Sequence, residues 1–226
     1  MSAAPLLAAR AVVKTFGATQ ALRGADMSVQ PGEILAVMGP SGSGKSTLLH
    51  CLAGVLTPDS GEIRYDERRI DLLGERARSE LRRRRFGFVF QFGQLVPELP
   101  AIENVMLPLL LDRTTRRDAR EAATRLFDRL GLDGLQRRRP GELSGGQAQR
   151  VAVARALVTR PEVIFADEPT GSLDSLAGED VMELLVAASR EQGATVILVT
   201  HDPRVAAYAD REIIVRDGRV TAAAAA

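Results

Sequence analysis

Apolar positions follow two rhythms along this chain. Nearly continuous apolar runs occur in EILAVMG (residues 33–39), VIFAD (163–167), TVILVT (195–200) and REIIVRDGRV (211–220). Runs with no polar alternation predict strands buried on both faces of a mainly parallel sheet. ARAVVKTF, ADMSVQPG and GEIRYDERRI are shorter and bounded by turns, a pattern that predicts an antiparallel sheet toward the N-terminus.

The second rhythm is helical and dominates residues 101 to about 160. Ala119, Ala122, Ala123, Leu126, Phe127 and Leu130 fall on one stripe, and Gly131 is placed to end that helix. A further helix is predicted over residues 176–192, closed by Gly193, and another over residues 45–54. The helical region therefore reads as an insertion between two parts of a sheet domain.

Composition narrows the function classes. A chain of 226 residues can bury a sizeable core and reads as one domain. Its 30 basic and 29 acidic residues nearly cancel, so no overall field draws it to nucleic acid or to an anionic membrane. The runs at residues 82–85 and 137–139 read as solvated surface or, less simply, as nucleic-acid patches, although no aromatics interleave them. Cys51 is the only cysteine and has no internal disulfide partner, which fits a reducing compartment. No apolar stretch approaches the roughly 20 residues that cross a bilayer, and no secretory leader is evident, so a cytoplasmic location is expected. The terminal TAAAAA is of low complexity and is expected to carry no function.

All but two of the 30 basic residues are arginine; the exceptions are Lys14 and Lys45. Lys45 lies in GPSGSGKS (residues 39–46), directly after the first buried apolar run and at the start of a predicted helix. Glycines at Gly39, Gly42 and Gly44 let backbone N–H groups approach phosphates, and the helix adds its positive end. A compact ammonium on a flexible stem suits such a loop where a planar guanidinium does not. Lys45 is expected to reach the β and γ phosphates and Ser46 to ligate Mg²⁺. VIFADE read alone is a strand followed by an ordinary acidic turn; beside the phosphate loop it offers Asp167 to orient the metal and its water, and Glu168 as general base toward an attacking water.

A second glycine-rich helix start, LSGGQ, carries Ser144, Gly145, Gly146 and Gln147 about a hundred residues downstream. Read alone it is either an ordinary serine N-cap or a second anion-binding end. GPSGSGKS and LSGGQ together resemble the nucleotide-binding subunits of ATP-binding-cassette (ABC) transporters, over about residues 10–220. The resemblance implies an α/β fold: a P-loop NTPase (RecA-like) core with a mainly parallel sheet, an N-terminal antiparallel β subdomain and an inserted α-helical subdomain. It would divide the single domain into a core of residues 1–91 and 161–226 and a helical part of residues 92–160.

The resemblance also assigns the site. ATP would contact Gly39, Pro40, Ser41, Gly42, Ser43, Gly44, Lys45, Ser46 and Thr47, with Phe16 stacking on adenine, or else serving as a core aromatic. Gln91 in FVFQ would be the loop glutamine that meets metal and water, Asp174 in GSLD the acid beside the catalytic strand, and His201 the histidine that positions Glu168 and water. His201 as a loop residue without a role is the simpler alternative. His50 and Cys51 read as packing residues, since neighbours on a helix point apart and supply no metal set. Ser172 stands where the family often has asparagine, and Ala148 where it often has a polar residue.

In that family LSGGQ of one protomer completes the ATP site of the other, which implies a head-to-tail homodimer, or a heterodimer with a similar ATPase. The implied partners are integral membrane permease subunits, with the ATPase peripheral on the cytoplasmic face. FVFQFGQLVPELPAIENVMLPLLL looks like the subgroup of macrolide export, lipoprotein release and antimicrobial-peptide resistance. A branch acting in cell division through a permease-like partner, a soluble ABC ATPase of DNA repair or translation, and a P-loop nucleotide kinase remain the alternatives. The kinase reading leaves LSGGQ, Glu168 and His201 without purpose.

Overall fold

The computed structural model describes residues 4–222, and the alanines from position 223 onward lie outside them. The chain divides into two compact units, one formed by Met1–Arg82 with Thr195–Ala226 and the other by Arg83–Ala194.

In the first unit, strands β1 (Leu7–Phe16), β2 (Thr19–Val29), β4 (Ser60–Tyr65) and β5 (Arg68–Arg69) form an antiparallel sheet in the order β2-β1-β4-β5. Ala25, Met27 and Val29 of β2 are buried at period two, as expected of a sheet with one covered face. Strand β3 (Ile34–Met38) instead has both faces covered and pairs in parallel with β8 (Thr195–Val199) on one side and β9 (Arg211–Arg216) on the other. Helix α1 (Lys45–Leu52) leaves the loop after β3, and a one-turn helix, α7 (Pro203–Ala206), follows β8.

REIIVRDGRV meets the expectation in its first half, where β9 joins β3 in parallel, and departs from it in the second. It folds into a hairpin in which β10 (Arg219–Ala222) runs antiparallel to β9. Asp217 and Gly218 both adopt positive φ, 48° and 74°, the backbone that a two-residue Asp-Gly hairpin turn requires. Only Ile213 and Val215 of β9 are buried, so one face of this strand is open.

The second unit holds the parallel pair β6 (Phe86–Phe90) and β7 (Val163–Asp167), joined through the predicted helical region. Phe86 meets Phe165 edge-on at 5.1 Å, and Phe88 stacks on Phe165 at 5.6 Å. Helix α3 (Ala101–Leu111) is followed by α4 (Arg116–Arg129), whose expected stripe buries Ala119, Ala123, Leu126 and Phe127. Thr115 caps α4 by accepting the Asp118 N–H at 3.2 Å, and Gly131 follows its end with φ 62°. Helix α5 (Gly145–Leu157) is buried along most of its length, and α6 (Ser175–Gln192) ends on Gly193 in the left-handed conformation.

Helix α2 (Glu75–Arg85) was not foreseen, because no residue in it is buried and it therefore carries no apolar stripe. Hydrogen bonds from Arg82, Arg78 and Ser79 hold the Glu75 carboxyl down at about 2. The arginine run at its end is engaged in ion pairs: Arg82 with Glu75, Arg83 and Arg84 with Asp112, and Arg85 with Glu162. Among the described residues no helix is long and apolar enough to cross a membrane.

Candidate functional site

The first unit presents the phosphate loop. Between β3 and α1 the backbone turns through Gly39, Gly42 and Gly44, all at positive φ. Two of these positions have no room for a side chain: a Cβ on Gly39 would lie 2.1 Å from the Val215 carbonyl oxygen, and one on Gly44 would lie 2.5 Å from that of Ala21. The loop is thus pressed onto the strands behind it, and the Gly218 N–H donates to the Ser43 carbonyl at 2.9 Å. Gly44 is the cap residue of α1 and makes no side-chain cap hydrogen bond, and a helix N-terminus of this kind favours an anion.

Lys45 is buried, 8% exposed, and its Nζ donates to the Pro40 carbonyl at 2.9 Å. An ammonium carries three donors, so this bond leaves it capacity for phosphate oxygens. The Ser43 hydroxyl is buried without a hydrogen-bond partner, at 6% residue exposure. Buried polar atoms are normally paired, so the Ser43 hydroxyl has capacity for a hydrogen bond to a ligand or water. Ser46 is exposed on the first turn of α1, followed by Thr47. Cys51, deeper on the same helix, is fully buried, and burial pushes its thiol up to about 11, which makes it an inert packing residue.

Phe16 ends β1 with 48% exposure, so it is not a core aromatic. Lys14 Nζ sits 5.7 Å from its ring centroid and pairs with Asp59 at 2.8 Å. His201 is exposed just beyond β8. It is held between Thr200, whose hydroxyl accepts the Asp202 N–H at 3.1 Å, and Asp202, whose carboxylate accepts the Arg204 N–H at 2.9 Å. The Arg204 side chain and N–H hold the Asp202 carboxyl below its usual range.

The second unit gathers the remaining motifs around residues 171–177. Asp167 ends β7, and Glu168 after it adopts φ 48°, a sparsely populated conformation for a residue with a side chain. The Glu168 carbonyl accepts the Gly171 N–H at 3.0 Å. Gln91 leaves β6 and lays its side chain against Gly171, where a Cβ would come within 2.9 Å of the Gln91 Nε2. Ser172 donates its hydroxyl to the Gln91 carbonyl at 2.7 Å, so serine in place of asparagine still makes a local bond. Asp174 caps α6 by accepting the Ala177 N–H at 2.9 Å.

LSGGQ opens α5 with a reciprocal capping box. The Ser144 hydroxyl oxygen accepts the Gln147 N–H at 3.2 Å, and the Gln147 side-chain oxygen accepts the Ser144 N–H at 3.0 Å. Gln147 is therefore turned back on its own helix. The Ser144 hydroxyl keeps its proton to donate, and Ser144 and Gly145 are exposed. Added Cβ atoms would approach Leu173 at 3.2 Å from Gly145 and Ala177 at 3.3 Å from Gly146, so both glycines allow close packing on the start of α6.

Three residues that hold the segment from Phe90 to Leu99 carried no motif in the sequence. Gln149, 2% exposed, donates to the Phe90 carbonyl at 2.9 Å, and Arg155 donates to the carbonyls of Gly93 and Gln94 at 2.7 and 2.8 Å. Asn104, fully buried, accepts the Val96 N–H at 2.7 Å and donates to the carbonyls of Val96 and Leu99. Their only signal is a polar residue set into an otherwise apolar helical stretch. A cavity of about 300 Å³ lined by Arg83, Arg84, Arg85, Leu109, Asp112 and Thr159 contains none of the expected site residues.

Comparison with known proteins gives the family. The sequence profile of the ABC transporter family matches residues 22–171. The lipoprotein-releasing system ATP-binding protein LolD of Porphyromonas gingivalis is 46% identical over 213 residues, covering 94% of this chain and 97% of its own. LolD of Syntrophotalea carbinolica is 49% identical over 196 residues, covering 87% and 86%. Among solved structures, the dimeric post-hydrolysis state of the ATP-binding cassette MJ0796 bound to ADP and Pi superposes with a TM-score of 0.87 at 37% identity, covering 97% of this chain and all of the other. With the phosphate loop, LSGGQ and the family profile in agreement, the chain belongs to the ABC transporter family, as one of its ATPase subunits.

Proposed function

We propose that this chain binds and hydrolyses ATP as the motor of a lipoprotein-releasing ABC transporter, working as a dimer on separate permease subunits. The observation that carries the nucleotide assignment is the residue 39–46 loop, with a buried Lys45, an unpartnered buried Ser43 hydroxyl and two glycines that admit no Cβ. These features fit a polyphosphate. The release of lipoproteins is supported by identities of 46% and 49% to two LolD proteins.

In this reading Phe16 stacks on adenine, and the loop N–H groups with Pro40, Ser41 and Thr47 surround the phosphates. Lys45 neutralises the β and γ phosphates. Mg²⁺ takes one or two protein groups together with phosphates and water. Ser46, Asp167 and Gln91 are the residues that would hold it, and when bound it neutralises phosphate charge. Glu168 accepts a proton from the attacking water, and His201 orients the γ-phosphate and that water.

Ser144, Gly145 and Gly146 act on the nucleotide of the other protomer, where a helix N-terminus and a hydroxyl proton supply donors to the γ-phosphate. Gln147 supports them by holding the cap, and Asp174 fixes the neighbouring turn. ATP then joins two subunits and hydrolysis releases them, moving the permeases from the cytoplasmic face of the membrane. Affinity purification of the tagged chain from detergent-solubilised membranes of its source cells tests the partnership. Integral membrane subunits are expected to co-purify; recovery of the chain alone, from the soluble fraction in every nucleotide state, would remove the transporter assignment.

A further inference from the structure

Both flanks of Gln91 are fastened to one helix. Before it, the Phe90 carbonyl accepts from Gln149; after it, the Gly93 and Gln94 carbonyls accept from the two arms of the Arg155 guanidinium. All of these donors lie on α5, the helix that begins at Ser144. The segment they hold is tightly turned: Gly93 and Gln94 have φ 65° and 45°, and the Gln94 N–H donates back to the Phe92 carbonyl at 2.7 Å. Consecutive left-handed residues, one of them not glycine, need an outside constraint to persist. The planar arginine fork supplies it by meeting two adjacent carbonyls at once.

We infer that Arg155 is a positioning residue that, with Gln149, ties the loop carrying Gln91 to the LSGGQ helix, so that a displacement at Ser144 is delivered to Gln91 as one movement. The inference rests on the proposed ATPase reading and deepens it, by naming how engagement of LSGGQ on a partner's nucleotide is transmitted to the chain's own metal-side glutamine. Charge-assisted bonds to two backbone carbonyls, made by a half-buried guanidinium, are stiff enough for this task. Burial also holds that guanidinium somewhat below its usual value, as expected of a group set among protein atoms. On the other side, Gln91 is fixed by Ser172 and Gly171, so slackening the α5 side frees one wall of its pocket.

The test uses Arg155→Met and Arg155→Lys in the full chain, compared with the parent by amide hydrogen exchange and by steady-state ATP hydrolysis. Exchange protection is expected to fall at residues 92–96 in nucleotide-free Arg155→Met while α4 and α6 keep theirs. Its kcat is expected to fall roughly tenfold to a hundredfold with KM within about twofold, the signature of a displaced group and not of lost ATP binding. Arg155→Lys, which can reach one carbonyl, is expected to fold and to lie between the two in both measurements. It carries the test alone if Arg155→Met does not fold. Parental exchange at residues 92–96 with parental kcat in Arg155→Lys would overturn the inference, as would a protection loss spread evenly over residues 83–194. A parent chain that does not hydrolyse ATP would instead defeat the ATPase reading, leaving the exchange result to judge the clamp by itself.

Discussion

Glu168→Gln is expected to bind ATP as tightly as the parent, to lose roughly 10²–10⁴-fold in kcat, and to accumulate as an ATP-bound dimer. The substitution keeps the shape and the hydrogen-bonding reach of the side chain while removing the carboxylate proposed to take the proton from water. Glu168 sits at the end of a buried strand in a left-handed conformation, with its carbonyl bound by the Gly171 N–H. Strain of this kind is sustained by surrounding structure, so the glutamine should occupy the same place. Size-exclusion chromatography with light scattering, run with ATP, reads the dimer; single-turnover hydrolysis reads the chemistry. Unchanged turnover would remove the base assignment, and slow turnover with no dimer would separate hydrolysis from association.

The second large effect is expected in Lys45→Ala, which should weaken ATP binding by roughly ten- to a hundredfold, the range of a lost charge-assisted hydrogen bond of about 1.5–3 kcal/mol. Hydrolysis at saturating ATP should fall as well, since the γ-phosphate loses its neutralising charge. The fold should survive: among the described residues Lys45 Nζ donates to the Pro40 carbonyl, and Pro40 is exposed, so water can replace that donor. Calorimetric titration with ATP alongside thermal unfolding distinguishes the cases. Parental affinity with full activity would count against the phosphate-loop reading, whereas a collapsed unfolding transition would show that the lysine serves the fold first.

Much of this was legible in the sequence because the strongest constraints act locally. GPSGSGKS after an apolar run announces strand, loop and helix together, and β3, the loop and α1 follow in that order. The stripe from Ala119 to Leu130 became the buried face of α4, and Gly193 ended α6 where a left-handed residue was needed. Helix α2 was hidden because none of its residues is buried, which leaves no apolar stripe to read. The β9–β10 hairpin had a signal, the Asp-Gly pair, that the apolar run obscured.

The hold on Gln91 was out of reach for a different reason. Arg155 and Gln149 act on backbone carbonyls some 60 positions away, 61 and 62 for Arg155 and 59 for Gln149, and a carbonyl has no residue type by which to recognise it. LSGGQ shows the opposite case, a helix start that is legible locally. Its serine and glutamine cap each other, and Ser144 and Gly145 are exposed.

The central claim, that each nucleotide is enclosed by two chains, is tested most directly by mixing Lys45→Ala chains with Ser144→Arg chains. One substitution disables the phosphate loop and the other blocks the signature serine, so each variant alone has two defective sites in its dimer. A mixed dimer has one site with both defects and one site with neither. ATP hydrolysis is expected to be low in each pure variant and to return, in the mixture, in proportion to the heterodimer measured by differential tagging. No recovery in a mixture whose heterodimers are demonstrated would contradict the sharing of sites between chains.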